Sequence, residues 1–260
     1  MNKKIILAFL SACLAFPLYG AVKKLTDAQA LDLIKVVDDR QRNSGDYKAS
    51  AFLKETERDK APRVYESVVY RRDTDNKFMI LFLKPKEEAG KGYLKIDKNL
   101  WMYDPSTGKW DRRTEREKIA GTNSRRSDFD ESRLAEEYSV KYEGNEKLGK
   151  FDAHKVVLTV KKGIDVAYPK IEMWIDAETS NILKRDEYAL SGRLLRTTFY
   201  PKWYKKYSES KKADVWVPQE MRIFDKLEVG NSTIILIKEV DLNSLPANIF
   251  TKAWLESKSR

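Results

Sequence analysis

The apolar positions of the chain change period once, near Gly45. Before it, Ala30, Leu33, Ile34 and Val37 recur at helical spacing opposite Asp32, Lys35 and Asp39, which predicts an amphipathic helix covering something apolar. Thr26-Asp27-Ala28-Gln29 has capping-box spacing, Leu25 stands where a staple residue would, and Asn43-Ser44-Gly45 favours a left-handed stop. After Gly45 the period is two. Tyr138, Val140 and Tyr142 alternate with polar residues, as do Ile171, Met173 and Ile175, and Leu195, Thr197 and Phe199. Similar runs fall at 47–57, 64–71, 78–83, 92–96, 100–103, 155–161, 182–188, 216–224 and 233–240, with turn signals such as Asp104-Pro105-Ser106-Thr107-Gly108 between them. About eleven or twelve sequential strands with short connections leave no room for right-handed parallel crossovers, so the sheet is expected to be an antiparallel meander. The predicted fold is mainly β (α+β): one curved antiparallel sheet or incomplete β-barrel, with the N-terminal helix and a C-terminal helix after Pro246 covering its concave side. Phe250, Ala253 and Trp254 are expected on the inner face of that last helix.

Two strands break the alternation. Phe78–Leu83 and Ile234–Ile237 are apolar on both faces, which in an antiparallel sheet means that neither face meets water. Either the helix and the sheet's own core cover the two sides, or the concave side is a cavity lined for an apolar ligand. On the second reading the lining set is Phe78, Ile80, Phe82, Trp101, Ile171, Met173, Ile235 and Ile237. Six Trp, 13 Tyr and 10 Phe supply enough soft surface for such a wall, though plain core packing also uses them. Tyr200-Pro201-Lys202-Trp203-Tyr204-Lys205-Lys206-Tyr207 interleaves aromatics with lysines, a mixture suited to single-stranded nucleic acid in one compartment and to a membrane interface in another.

Between Arg112 and Arg133 charge replaces alternation, and a long loop is expected, either a solvated charge run or a lid or binding loop. Arg112, Arg113, Arg116, Arg125 and Arg126 form a candidate docking set for an anionic membrane face or an acidic partner domain. Asp128 or Asp130 could cap a short helix that follows.

The first residues read as a signal peptide over 1–20: Lys3 and Lys4, an apolar stretch from Ile5 to Phe16, then Pro17 to Ala21 with small residues for cleavage after Gly20. Leu10-Ser11-Ala12-Cys13 also has the form of a lipobox, the competing reading, in which Cys13 anchors a lipoprotein. Residues 21–260 read as one domain, with no repeat and no low-complexity linker. Export turns the formal charge of +10 away from nucleic acid and toward lipid headgroups, envelope polysaccharide or acidic proteins of the periplasm.

Catalysis finds little support. His154 is the single histidine, placed at a strand entrance with no nucleophile elbow, and reads as a half-exposed strand residue. Neither a P-loop nor GxGxxG is present, and one cysteine with one histidine excludes Cys/His zinc sites and disulfide frameworks. Asp128 and Asp130 are the nearest thing to a carboxylate pair, and capping explains them more simply. No catalytic residue, metal or cofactor is expected, and the reading is not an enzyme.

Gly92-Tyr93-Leu94-Lys95-Ile96-Asp97-Lys98-Asn99-Leu100-Trp101-Met102-Tyr103-Asp104-Pro105 resembles the LolA-like group of exported bacterial outer-membrane lipoprotein-sorting proteins. Lys109 to Arg113, Ser127-Asp128-Phe129 and Phe250-Thr251-Lys252-Ala253-Trp254-Leu255 are similar to its longer branch, so the resemblance spans essentially the mature chain. It implies an incomplete barrel closed by helices, whose apolar interior holds lipid or lipoprotein acyl chains, an architecture shared by the LolA, LolB and RseB types. The function expected from it is a monomeric carrier or chaperone of the cell envelope, working with an inner-membrane transporter or an outer-membrane acceptor. The alternative is an envelope structural or signalling module that binds protein through the same sheet.

Overall fold

The computed structural model of the protein describes residues 22–259, apart from 43, 97–98, 115–116, 126–127 and 129–131. The leader read over 1–20, with Cys13, therefore lies outside the described residues, as do Arg116, Arg126 and Asp130.

Helix α1 (Asp27–Arg42) begins where the capping box places it. The Thr26 N–H donates to Gln29 Oε1 at 3.0 Å and the Gln29 N–H donates to Thr26 Oγ1 at 3.2 Å, which satisfies two of the amides a helix start leaves open. Strands β1 (Asp46–Thr56), β2 (Arg63–Arg72), β3 (Lys77–Lys84), β4 (Gly92–Ile96), β5 (Asn99–Asp104) and β6 (Lys109–Arg113) follow as a meander. A short helix α2 (Leu134–Glu137) then leads into β7 (Tyr138–Leu148), β8 (Phe151–Val160), β9 (Lys170–Asp176), β10 (Ile182–Tyr188), β11 (Leu194–Ser208), β12 (Ala213–Asp225) and β13 (Ser232–Asp241), and α3 (Lys252–Lys258) ends the fold.

All thirteen strands join one antiparallel sheet in the order β6-β5-β4-β3-β2-β1-β13-β12-β11-β10-β9-β8-β7. Every neighbouring pair in that order is consecutive in the chain except the one at the centre. There β1 meets β13 in a register that sets Ala51 opposite Ile237 and Leu53 opposite Ile235. The sheet ends in two edges, β6 and β7, and does not close into a barrel. A twisted sheet much beyond about ten strands must curl or split, and bulges in β1, β7 and β11 help this one curl. β6 is one strand more than alternation suggested. Its Lys-Trp-Asp-Arg-Arg has no dry face and pairs only with β5, and its charges suit an edge that must not recruit another strand.

Alternate residues divide the sheet into two faces. Ala51, Leu53, Val69, Phe78, Ile80, Phe82, Ile235 and Ile237 share the concave side. Farther along that side, Val156, Leu158, Ile171, Met173, Ile175 and Ile182 are buried beneath Ala30, Ile34 and Val37 of α1. The C-terminal helix departs from expectation and lies on the opposite, outer face. Leu255, Phe250 and Ile249 cover Tyr70, Met79, Leu81 and Leu94 there. Gly92 makes the seat: a Cβ would come within 2.7 Å of Leu255 Cδ1 and 2.9 Å of the Ile80 carbonyl, so only glycine lets the helix approach the backbone. Thr251 caps α3 by accepting from the Trp254 N–H at 3.2 Å, and Leu255 takes the inward place expected of Ala253, which is exposed.

The double-sided apolarity of β3 is thus resolved by α3 outside and the concave core inside. β13 differs. Ile234 and Leu236 on its outer face stay half-buried, with Lys54, Arg222, Phe52 and Glu220 as cross-strand neighbours in place of a helix.

Candidate functional site: an apolar cavity on the concave face

The concave side is not filled. Between the C-terminal turn of α1 and the inner faces of β1, β2, β3, β12 and β13 lies a cavity of about 180 Å³. One water needs roughly 10–15 Å³ on the same measure, and an apolar wall gives water few hydrogen-bond partners. Of the residues expected in the lining, Phe78, Ile80, Phe82, Ile235 and Ile237 stand in this wall. Ile171 and Met173 share the face but lie under α1, where the helix occupies the space. Trp101 points the other way: it is paired with Leu94 on the outer face, and Lys252 Nζ of α3 sits 4.2 Å from its ring centroid. On β5 the inward residue is its neighbour Leu100.

Two wall residues escape simple alternation. Tyr200 and Trp203 are three apart and would fall on opposite faces of a regular strand, yet both line the cavity. β11 breaks register between Phe199 and Lys202 and again before Trp203, around Pro201, whose ring has no N–H to give a ladder. The slip turns both aromatics inward, stacked with centroids 5.9 Å apart, and the Trp203 Nε1–H donates to the Ile182 carbonyl at 2.9 Å. Lys202, Lys205 and Lys206 stay exposed together with Tyr207, so within that segment Tyr200 and Trp203 alone are turned to the cavity.

The segment from β6 to β7 joins the two sheet edges, and its middle folds into the concave side. Lys118 bridges Arg125, and the Thr122 N–H donates to the Ile119 carbonyl at 2.9 Å across Ala120 and Gly121, whose φ values of 49° and 76° make a type I′ turn. Ile119 is inserted into the core and lines the cavity, and the Asn123 N–H donates to Thr233 Oγ1 at 2.9 Å. Asp128, also in the wall, is not a helix cap. Its carboxylate accepts from both Nη atoms of Arg196 at 2.6 and 2.8 Å. Arg196 Nε also donates to Glu187, which is fully buried and lies 2.9 Å from Arg185 Nη2. Burial would raise the Asp128 pKa, but the Arg196 guanidinium overrides it and holds the carboxyl below its ordinary range. The cap of α2 comes instead from Asp38 of α1, which accepts from the Leu134 and Ala135 N–H groups at 3.0 and 2.8 Å.

Of the arginines read as a docking set, Arg112, Arg113 and Arg125 fall within the described residues. Arg112 is exposed on β6. Arg113 donates to Met102 Sδ at 3.0 Å and Glu117 at 3.2 Å, and the Arg125 guanidinium lies 5.8 Å from the Tyr168 ring centroid. A second, more polar cavity of about 340 Å³ lies among Phe82, Glu88, Lys91, Tyr93, Met102 and Lys118. His154 is buried rather than half-exposed: its Nδ1 lies 2.8 Å from Asn145 Oδ1, and desolvation lowers its pKa. Among the described residues no group of three or more His, Cys, Asp or Glu side chains is placed to hold a metal, and no helix is long and apolar enough to cross a membrane.

An open antiparallel half-barrel with helices on both faces and an apolar hollow on its concave side is the class of protein this architecture defines. Solved structures share it. The chain superimposes on a DUF1329 family protein from Desulfovibrio piger with a TM-score of 0.76 at 20% identity, covering 88% of this chain and 98% of that one. A LolA superfamily protein from Nitrosomonas europaea gives 0.70 at 21% identity over 86% and 98% of the two chains. A domain named for outer-membrane lipoprotein sorting from Vibrio parahaemolyticus gives 0.74 at 19% identity over 89% and 100%. No curated protein matches the chain by sequence. A family model described as an uncharacterized protein matches residues 74–257, more than half of the 260 residues, so the chain belongs to that family, and the solved neighbours show that its fold is LolA-like.

Proposed function

We propose that the protein is a non-enzymatic carrier of lipid or lipoprotein acyl chains in the bacterial cell envelope, exported by the leader at 1–20. The observation that carries this reading is the hollow itself. A largely apolar wall bounds about 180 Å³ where a folding-driven core would have collapsed, and an interaction module built on the same sheet would be expected to fill that space. Acyl chains suit such a wall because their transfer from water is worth ~0.8 kcal/mol per buried CH₂. A net charge of +10 on the full sequence, +8 once Lys3 and Lys4 leave with the leader, and exposed cations such as Arg112 favour collecting the cargo at an anionic membrane face.

Native mass spectrometry of the protein purified from its own envelope, with uptake of a fluorescent fatty acid by delipidated protein, tests the reading. Lipid adducts and saturable uptake are expected, and Val69→Trp, which places an indole in the cavity, should abolish uptake while leaving the fold intact. No adduct together with no uptake would refute carriage.

A further inference from the structure

Arg40 continues the apolar stripe of α1, three residues after Val37, and carries a charge into the wall of the hollow. Its Nη1 donates to the Thr179 carbonyl and to Asn181 Oδ1 at 3.1 Å, both neutral oxygens on the β9–β10 turn. No acid answers it among the described residues. Burial pulls its pKa down, and no carboxylate is close enough to push it back up. The other charges on that wall are matched: Arg71 lies 2.8 Å from Asp73, and Asp128 is held by Arg196. An arginine that loses part of its hydration without a counter-ion is costly, and it repays that cost when an anion arrives. Nε and Nη2, which have no protein partner among the described residues, present the fork that carboxylates and phosphates accept in parallel.

Building on the carrier reading above, we propose that the cavity takes an acyl lipid with an anionic head, the head paired with Arg40 at the C-terminal end of α1 and the tail running along Val69, Phe78 and Ile80. The charge also discriminates between cargoes. The acylated cysteine of a mature lipoprotein carries its chains on an amide and on the esters of a thioether-linked glyceryl group, with no anion beside them, so it would leave Arg40 unanswered. A fatty-acid carboxylate or a lipid phosphate would not.

Calorimetric titration of the delipidated protein with oleate, oleoyl lysophosphatidate and oleyl alcohol, three ligands with one tail and different heads, is the test. The wild-type protein is expected to bind at least one of the two anions roughly tenfold or more tightly than the alcohol, as a charge-assisted pair requires. In Arg40→Gln, which keeps a donor for the Thr179 carbonyl, that ratio should fall close to one, and Arg40→Lys should restore part of it. A preference confined to lysophosphatidate assigns the head to a phosphate, and one shared with oleate to any single anion. Equal binding of all three by the wild-type protein would overturn the role of Arg40 and leave acyl carriage standing, whereas binding of none would overturn both. The wild-type ratio needs no variant, so a misfolded substitution cannot obscure the result.

Discussion

On β8 and β9 the inward residues Val156, Leu158 and Met173 share a buried core with Ala30 and Ile34 of α1 and the space is filled. On β1, β2, β3 and β13 the inward residues Ala51, Val69, Ile80 and Ile237 are of the same kind and alternate in the same way, yet they face a hollow. The two halves differ in what lies over them. A 16-residue helix is about 24 Å long, while strands spaced at ~4.8 Å make a thirteen-stranded sheet almost 60 Å wide before it curls. One helix cannot cover both halves, and the second helix sits on the outer face because Gly92 opens a seat there. A dry strand face thus records that water is excluded, not which group excludes it. The first half uses its own chain, and the second leaves the place open, which the proposed carriage would fill with a ligand.

The largest expected effect lies at the join between the halves, where Arg196 ties Asp128 of the crossing segment to Glu187 of β10. Arg196→Met should destabilise the protein by about 3 kcal/mol, chiefly because the fully buried Glu187 loses a partner, with Asp128, whose side chain is partly exposed, adding less. Urea unfolding measures the loss. Faster amide exchange at Ile119 and Asn123 would show that the segment has left the concave face, and unchanged stability would mean that the cluster is solvated.

A matched pair of small-to-large changes probes the filled and hollow halves directly. Ala30 and Ala51 are both buried, the first under α1 and the second in the cavity wall. Ala30→Leu should cost about 1–3 kcal/mol by overpacking a complete core. Ala51→Leu has room to expand into, so its melting temperature should hold or rise while the capacity for fluorescent fatty acid drops. Equal destabilisation by both would mean that the hollow closes in solution.

The smallest effect is in the pH dependence. Asp128 has its carboxyl held below the ordinary value of 3.8, so between that value and the lower folded one the unfolded chain binds the proton and the native protein does not. Its contribution is complete above pH 3.8 and is lost as pH falls through the lowered value, with a slope of at most about 1.4 kcal/mol per pH unit for one proton. Asp128→Asn should remove that part of the acid limb, seen by comparing denaturant midpoints of the two proteins from pH 5 downward, and an unaltered limb would exclude Asp128 from it.

The local order of the chain determined much of this protein. The capping box started α1 at the residue it named, the period of two marked all strands but one, and Phe78, Ile80, Phe82, Ile235 and Ile237 were legible as one face because successive strand side chains alternate. β6 was hidden, since a short charged edge strand needs only a partner's backbone and carries no dry face. Arg40 left one faint signal, a charge standing where the helical stripe called for an apolar residue.

Tertiary structure decided the rest, because it depends on contacts between residues far apart in the chain. Trp101 went outward, as did α3, when Leu255 found Gly92, and Tyr200 and Trp203 turned inward together when β11 slipped register around Pro201. Asp128 became an ion-pair partner of Arg196, 68 positions away, instead of a cap. Alternation is set by neighbours two residues apart, so sequence alone could say which side of each strand was dry. Whether that side met a helix, another strand or an empty space was settled only when β1 paired with β13 and the sheet curled around what remained.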